Sequence, residues 1–322
     1  MRYSFVTSLL AGASIVLGSP IEKRAEYAMG FNAPPGGDVT ILNYALTLEY
    51  LERKFYQEGL ANYTQAQFIE AGFPDPFYKN LKEIYYDEQT HVSFLSGALT
   101  AAKAQPVTEA KYSFPSTDVK SFVTLASVLE GVGVSAYLGA AQAIANKAYL
   151  TVAGSILTVE SRHSSYIRAS LAQSPFPKPF DTPLDFNQVF SLAAQFITGF
   201  APNDPTISPP FKAFPALKLE ASRYAYTAGS SPVTFSGAMK NGVKAGLITA
   251  DTPVYAVFFS GLDTYYVKVR TTRGDAGDFK IDMIPKGAVG QVYVVLSTAD
   301  GEAAKVSDAN TLSGVGILEV VQ

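Results

Sequence analysis

The chain has 322 residues, 48% of them hydrophobic, with 25 basic and 28 acidic side chains and a net charge of -3. That length allows one large domain or two ordinary ones with a core that needs no staples, and the charge balance excludes the basic face of a nucleic-acid binder. There is no cysteine, which removes thiolate catalysis, cysteine-ligated zinc and iron–sulfur clusters.

Residues 1–24 read as a sorting segment. "MRYSFVTSLLAGASIVLGSP" has a basic start, an apolar stretch and small residues around Gly18, the pattern of a secretory signal. Its apolar part is too short to span a bilayer. Lys23-Arg24 then resembles a dibasic processing site. The mature chain is expected to begin at Ala25 and to be secreted, in the extracellular space or the cell wall, with no membrane span.

From 38 to 200 the pattern is helical. Apolar residues recur at three- and four-residue spacing. Asp38 stands in a capping position. The spacing predicts a helix over 39–59 with Gly59 near its end, and a second over 76–103 after "FPDP". A third runs from Ser116–Asp118 to about 146, and a fourth over 149–172, before "SPFPKP". Between the second and third lies "AQPVTEAKYSFPST". A dozen extended residues reach roughly 40 Å, about the ~37 Å length of a 25-residue helix. This connection can therefore run the length of a bundle, giving two helical hairpins joined by a crossover. A short fifth helix is expected over 185–198. Asn62-Tyr63-Thr64 is a possible glycan acceptor.

Residues 201–215 are Pro-rich and read as a linker. After 216 the texture changes. "VYAVFFSG", "YYVKVRT", "FKIDMIP", "QVYVVLST" and "GVGILEVVQ" are β-branched and aromatic, separated by Gly, Asp and Pro clusters. This predicts an antiparallel β-sandwich over 216–322. The alternation in "FKIDM" sets Phe279, Ile281 and Met283 on one face, and Lys280 and Asp282 on the other. The expected fold is α+β and multidomain: a four-helix bundle with a short fifth helix, then the sandwich.

The chain has only two histidines, and each follows a glutamate by three residues: Glu88 and His91, then Glu160 and His163. On a helix such residues share a face. Glu49 and Glu130 align as the matching acids of the other two helices. With them Leu48 matches Leu129 and Tyr56 matches Tyr137, while Phe94 matches Tyr166 on the histidine helices. The hairpins look like relatives, packed about a pseudo-twofold axis. Four carboxylates in one core repel one another and lose solvation. Two divalent cations balance their charge. Carboxylate and imidazole ligands suit iron or manganese better than zinc.

The order Glu, Glu-x-x-His, Glu, Glu-x-x-His on four helices resembles the ferritin-like di-iron carboxylate proteins. "ILNYALTLEYLERKFY" is similar to a fungal branch of secreted ferritin-like proteins, some labelled stress-response or late-sexual-development proteins. The resemblance implies Glu49, Glu88, His91, Glu130, Glu160 and His163 as ligands of two iron ions, or of manganese, with Glu88 and Glu160 bridging. Glu52 is a second choice, disfavoured because its counterpart in the repeat is Gly133. The resemblance implies oxidation of Fe(II) by dioxygen or removal of peroxide, with electrons from outside or from the iron. The alternative is a non-enzymatic stress or cell-wall protein that keeps the scaffold. The sandwich would then be a module that binds a protein or a wall component.

Three further features are open to two readings. Gly131, Gly133 and Gly139 allow close helix packing or leave room for a small oxidant. Tyr44, Tyr85, Tyr86, Tyr137 and Tyr166 are core residues or redox-active phenols. Arg162 and Arg168 are ion-pair partners rather than substrate clamps. A serine nucleophile has no histidine left to serve it.

Overall fold

The computed structural model describes residues 31–200, 211–220, 225–271 and 277–322. The segment expected to direct secretion and positions 201–210 of the expected linker lie outside the described residues. In chain order the helical part comprises α1 (Asp38–Asn62), α2 (Gln65–Glu70), α3 (Phe77–Ala101), the short strand β1 (Lys111–Tyr112), α4 (Val119–Ala141), α5 (Lys147–Ser170), α6 (Phe186–Ala193) and the strand β2 (Ile197–Gly199). The four long helices are those predicted, paired as the hairpins α1/α3 and α4/α5.

Their ends differ from expectation for identifiable reasons. Gly37, not Asp38, occupies the cap of α1. The Asp38 carboxylate instead reaches across the bundle and accepts from the Ala145 and Asn146 backbone N–H groups, both at 2.8 Å, at the start of α5. Gly59 lies in the last turn of α1, near its end as expected. A Cβ there would meet the Phe122 ring at 2.0 Å, so the missing side chain is what lets α1 approach α4. The Phe55 and Phe122 rings stack beside this point with centroids 4.6 Å apart. Full burial of each contributes roughly 2–3 kcal/mol.

Helix α4 starts from a reciprocal Asp118–Ser121 capping box and ends at Ala141, five residues early. Helix α6 starts from a similar Asp185–Gln188 box. It stops at Ala193 because the residues beyond it turn extended and pair with the crossover, β1 against β2. Helix α2, absent from the sequence reading, is a six-residue helix capped by Thr64 and Gln67 that buries Phe68 in the bundle's core.

The C-terminal part contains β3 (Tyr226–Thr227), β4 (Val233–Phe235), α7 (Ala238–Lys244), β5 (Tyr255–Ser260), β6 (Asp263–Lys268), β7 (Arg270–Thr271), β8 (Phe279–Ile281), β9 (Gly290–Ser297) and β10 (Gly316–Val321). Two sheets form, in the orders β3-β10-β9-β5-β6 and β4-β8-β7. Phe235, Phe279 and Ile281 of the small sheet share a core with Phe258, Val292, Val294 and Leu318 of the large one. This is the expected sandwich, with one correction: β3 pairs with β10 in parallel. A second correction concerns "FKIDM". The strand ends at Ile281, and Met283 is exposed instead of joining Phe279 and Ile281 inside.

The large sheet is buried on both faces. Val292, Val294 and Leu296 point into the sandwich. Tyr293 and Val295, with Val257 and Phe259 of β5, point into the bundle's core. Burial on both sides explains why "VYVVL" is an unbroken apolar run rather than an alternating one. Polar ties lock this contact. The Tyr293 hydroxyl donates to the Gly131 carbonyl at 2.8 Å. The Arg168 guanidinium, itself buried, grips the Glu319 carboxylate with two bonds of 2.9 and 2.7 Å, the bidentate geometry at which arginine is strongest. Arg168 is thus an ion-pair partner, while Arg162 is exposed.

Among the described residues one helix, α4, is long and apolar enough to cross a membrane. It is 72% buried inside the protein and serves as the bundle's core helix.

Candidate metal centre

Glu49 and Glu52 project from α1, Glu88 and His91 from α3, Glu130 from α4, and Glu160 and His163 from α5. All lie in the middle of the bundle. Glu49, Glu88 and Glu160 have no solvent exposure. The structure brings together all six residues singled out in the sequence. They fall into two groups whose ligand-type atoms lie within 4.8 Å of one another: Glu49, Glu88, His91 and Glu160; and Glu88, Glu130, Glu160 and His163. Glu88 and Glu160 belong to both groups.

Distances show how the groups converge. His91 Nδ1 is 3.2 Å from Glu49 Oε2, 3.1 Å from Glu88 Oε2 and 3.5 Å from Glu160 Oε1. His163 Nδ1 is 3.1 Å from Glu88 Oε1 and 3.3 Å from Glu130 Oε2. His163 Nδ1 nevertheless has no hydrogen-bond partner. Glu49 Oε2, Glu88 Oε1, Glu130 Oε2 and both oxygens of Glu160 also lack a partner. Buried polar atoms are almost always paired. A set of unpaired ones facing one another is what ligands around a cation would look like. The donor set, carboxylate oxygens and imidazole nitrogens, fits iron or manganese.

Burial sets the electrostatics. It pushes Glu160 and Glu52 well above the usual carboxylate range, and the Glu88 and Glu49 charges add to this. Burial also raises Glu49 to about 7, against the lowering effect of His91. At Glu88 burial acts upward too, but the adjacent His163 and His91 overturn it and hold the group at about 2. Burial opposes charge on His91, yet Glu49 and Glu88 lift it to about 10. Burial likewise opposes charge on His163, and Glu130 and Glu88 lift it to about 11. Without a cation, the two imidazolium groups are the positive charges of this core.

Three supporting groups are less visible in sequence. The Tyr137 hydroxyl donates to Glu49 Oε1, and the Tyr56 hydroxyl donates to Glu130 Oε1. These tyrosines match in the repeat, and each supports the carboxylate of the other hairpin. Neither the crossing nor the role of Tyr56 is legible from spacing. Asp87 Oδ2 lies 3.1 Å from His163 Nε2. Such an outer carboxylate fixes the tautomer and the ring direction of a ligating histidine. Its only sequence signal is its place beside Glu88.

Glu52, disfavoured on the repeat argument, belongs to neither group but lies beside the cluster, next to Glu160. It is buried, with Oε2 unpartnered. Gly133 explains the asymmetry. A Cβ at Gly133 would sit 2.8 Å from Glu160 Oε2 and 2.9 Å from Glu52 Oε1. The space that a side chain would fill on α4 is taken by the Glu52 carboxylate from α1. Gly139 serves packing in the plainer sense: a Cβ there would strike the Leu184 carbonyl. A Cβ at Gly131 would meet the Gln291 amide. Of the other tyrosines, Tyr44 is buried in the core and Tyr86 is exposed.

A helical bundle with paired carboxylate–histidine groups at its centre defines the class. Residues 37–173 match the family model described as "Ferritin-like domain", and this part of the chain is a ferritin-like domain that could hold a metal ion. The chain is also 25% identical over 276 residues to Protein rds1 of the fungus Schizosaccharomyces pombe, across 74% of this chain and 67% of that one. The comparison supports a fungal branch of the ferritin-like superfamily.

Proposed function

We propose that this protein is a secreted ferritin-like metalloprotein whose cluster holds two iron ions, or manganese, and oxidises Fe(II) with dioxygen or removes peroxide. One observation carries the reading: Glu88 and Glu160 belong to both buried groups, as residues that bridge two cations must. Glu49 and His91 would complete one ion's ligands, and Glu130 and His163 the other's. When bound, the ions would supply redox chemistry and sites for an oxidant. The chain's own contribution is positional. Tyr56 and Tyr137 hold Glu130 and Glu49 in one rotamer, and Asp87 orients the His163 ring. The core around them excludes water.

Cation binding and protonation compete here, because His Nδ1 cannot hold both. That competition gives the second reading its support. With both imidazoles protonated, the core is partly neutralised without metal. A stress or cell-wall protein could therefore keep the bundle as a scaffold.

Oxygen uptake separates the oxidase reading from the scaffold. Protein recovered from the medium of a secreting host, stripped of metal and given Fe(II), should consume oxygen. The Glu88→Ala variant, checked for folding by circular dichroism, should not. Equal uptake by both proteins, or none by the parent after it has taken up iron, would overturn the oxidase reading. Retention of the protein inside the cell would overturn secretion.

A further inference from the structure

A cavity of about 300 Å³ opens beside the cluster, between the bundle and the large sheet. Its floor is Leu48, Leu51 and Glu52 of α1 with Leu129, Val132 and Gly133 of α4. Its walls come from α6 and from the chain at the head of β10, chiefly Leu192, Val315 and Ile317. The one ionisable side chain on the lining is Glu52. Its carboxylate and the Glu160 carboxylate both border Gly133, with Oε1 of Glu52 and Oε2 of Glu160 within 3 Å of the place a Cβ would occupy. A molecule seated on this floor therefore lies against the Glu160 side of the cluster.

Size and lining limit the occupant. An apolar cavity of about 150 Å³ stays dry and takes up benzene; this one is about twice as large. Water would find few partners here, since the walls are mainly leucine and valine and Glu52 stands at one end. The other apolar hollow of the bundle, near Tyr149 and Ile156, has a volume of only about 30 Å³, room for a single water. Gln195 on the lining is exposed, so the hollow communicates with solvent and a ligand can enter.

We propose that this cavity binds a small apolar organic molecule, a single aromatic ring or a hydrocarbon chain of similar bulk, and holds it against the Glu52 end of the metal cluster. Both parts of the protein build the site, which gives the sandwich a role in shaping the pocket. The cavity's role as a substrate site rests on the two-metal reading; binding itself does not.

The probe is 4-fluorotoluene, followed by fluorine NMR on the full chain loaded with Zn(II) or with Mn(II). Saturable binding is expected to the Zn(II) protein, with strong broadening of the bound signal in the Mn(II) protein, since paramagnetic relaxation falls steeply with distance. Val315→Phe, which fills the cavity from a residue outside both groups of candidate ligands, should weaken binding at least tenfold with metal content unchanged. Ile317→Phe serves the same purpose if Val315→Phe does not fold. The proposal fails if the metal-loaded protein shows no saturable binding, if bound probe is not broadened by Mn(II), or if both cavity-filling variants bind as the parent does. A chain that takes up no metal but binds the probe, and loses it in Val315→Phe, would overturn the two-metal reading and leave the cavity standing.

Discussion

Hairpin α1/α3 supplies Glu49, Glu88 and His91 to the cluster, and hairpin α4/α5 supplies Glu130, Glu160 and His163. The two sets match side chain for side chain, and the supporting tyrosines match as well. Behind them the symmetry fails. His163 has Asp87 at its outer nitrogen, whereas the position equivalent to Asp87 on the other histidine helix is Val159. Glu52 fills the space beside Gly133, and no acid stands at the equivalent place on α4. The large sheet also packs on α4, where Tyr293 donates to Gly131 next to Glu130. The difference teaches that the residues around a charge-balanced core are constrained by each other, and those one layer out by their own surroundings.

The largest expected effect tests the symmetric layer. Glu49→Ala and Glu130→Ala should each lose one of the two ions and keep most of the other, as read by metal analysis of the purified variants. If one substitution empties both positions and the other empties none, the equivalence of the hairpins is wrong.

Next comes the asymmetric layer. Asp87→Ala should weaken metal affinity on the His163 side, by about tenfold. That is the low end of the ~10–100-fold range for such partners, because the Asp87 side chain is 42% exposed. Val159→Ala should leave affinity unchanged. Competitive titration against a chelator reads both, and equal effects would remove the distinction.

Tyr56→Phe and Tyr137→Phe each delete one hydrogen bond to a buried carboxylate, with an expected cost of ~1.5–3 kcal/mol in stability. Denaturant unfolding should give similar values for both if the pseudo-twofold holds. A cost confined to one tyrosine would show that the hairpins bear their carboxylates differently.

The last test of the comparison is the pH dependence of the metal-free protein. His91 and His163 are raised to about 10 and about 11 in the fold, against about 6.5 when unfolded. Stability from them is fully present below pH ~6.5 and lost as pH rises through those two values. Glu49, raised to about 7, acts in the same direction at lower pH. The melting temperature of the metal-free protein should therefore fall from pH 6 to pH 11, and that of the metal-loaded protein should fall less. Identical profiles would mean that cations do not replace these protons.

Much of this centre was legible because histidine is so scarce in the chain. Two copies of Glu-x-x-His at matched places on helical segments identify four residues, and the aligned Glu49 and Glu130 complete the six. The long helices were legible from apolar spacing over many turns. What spacing misses depends on partners distant in the chain. Asp38 reads as a cap for its own helix, yet it serves α5. Gly59 reads only as a residue near a helix end, yet it also admits the Phe122 ring. Strands β1 and β2 exist because the crossover meets the segment after α6. Glu52 was set aside because its repeat counterpart is a glycine, although that glycine is what makes room for it.

The central claim is tested most directly by counting metal. The protein, exposed to excess Fe(II) or Mn(II) and desalted, should retain two ions per chain, and the double variant Glu88→Ala/Glu160→Ala should retain none. A folded parent protein that keeps no more metal than the double variant would contradict it.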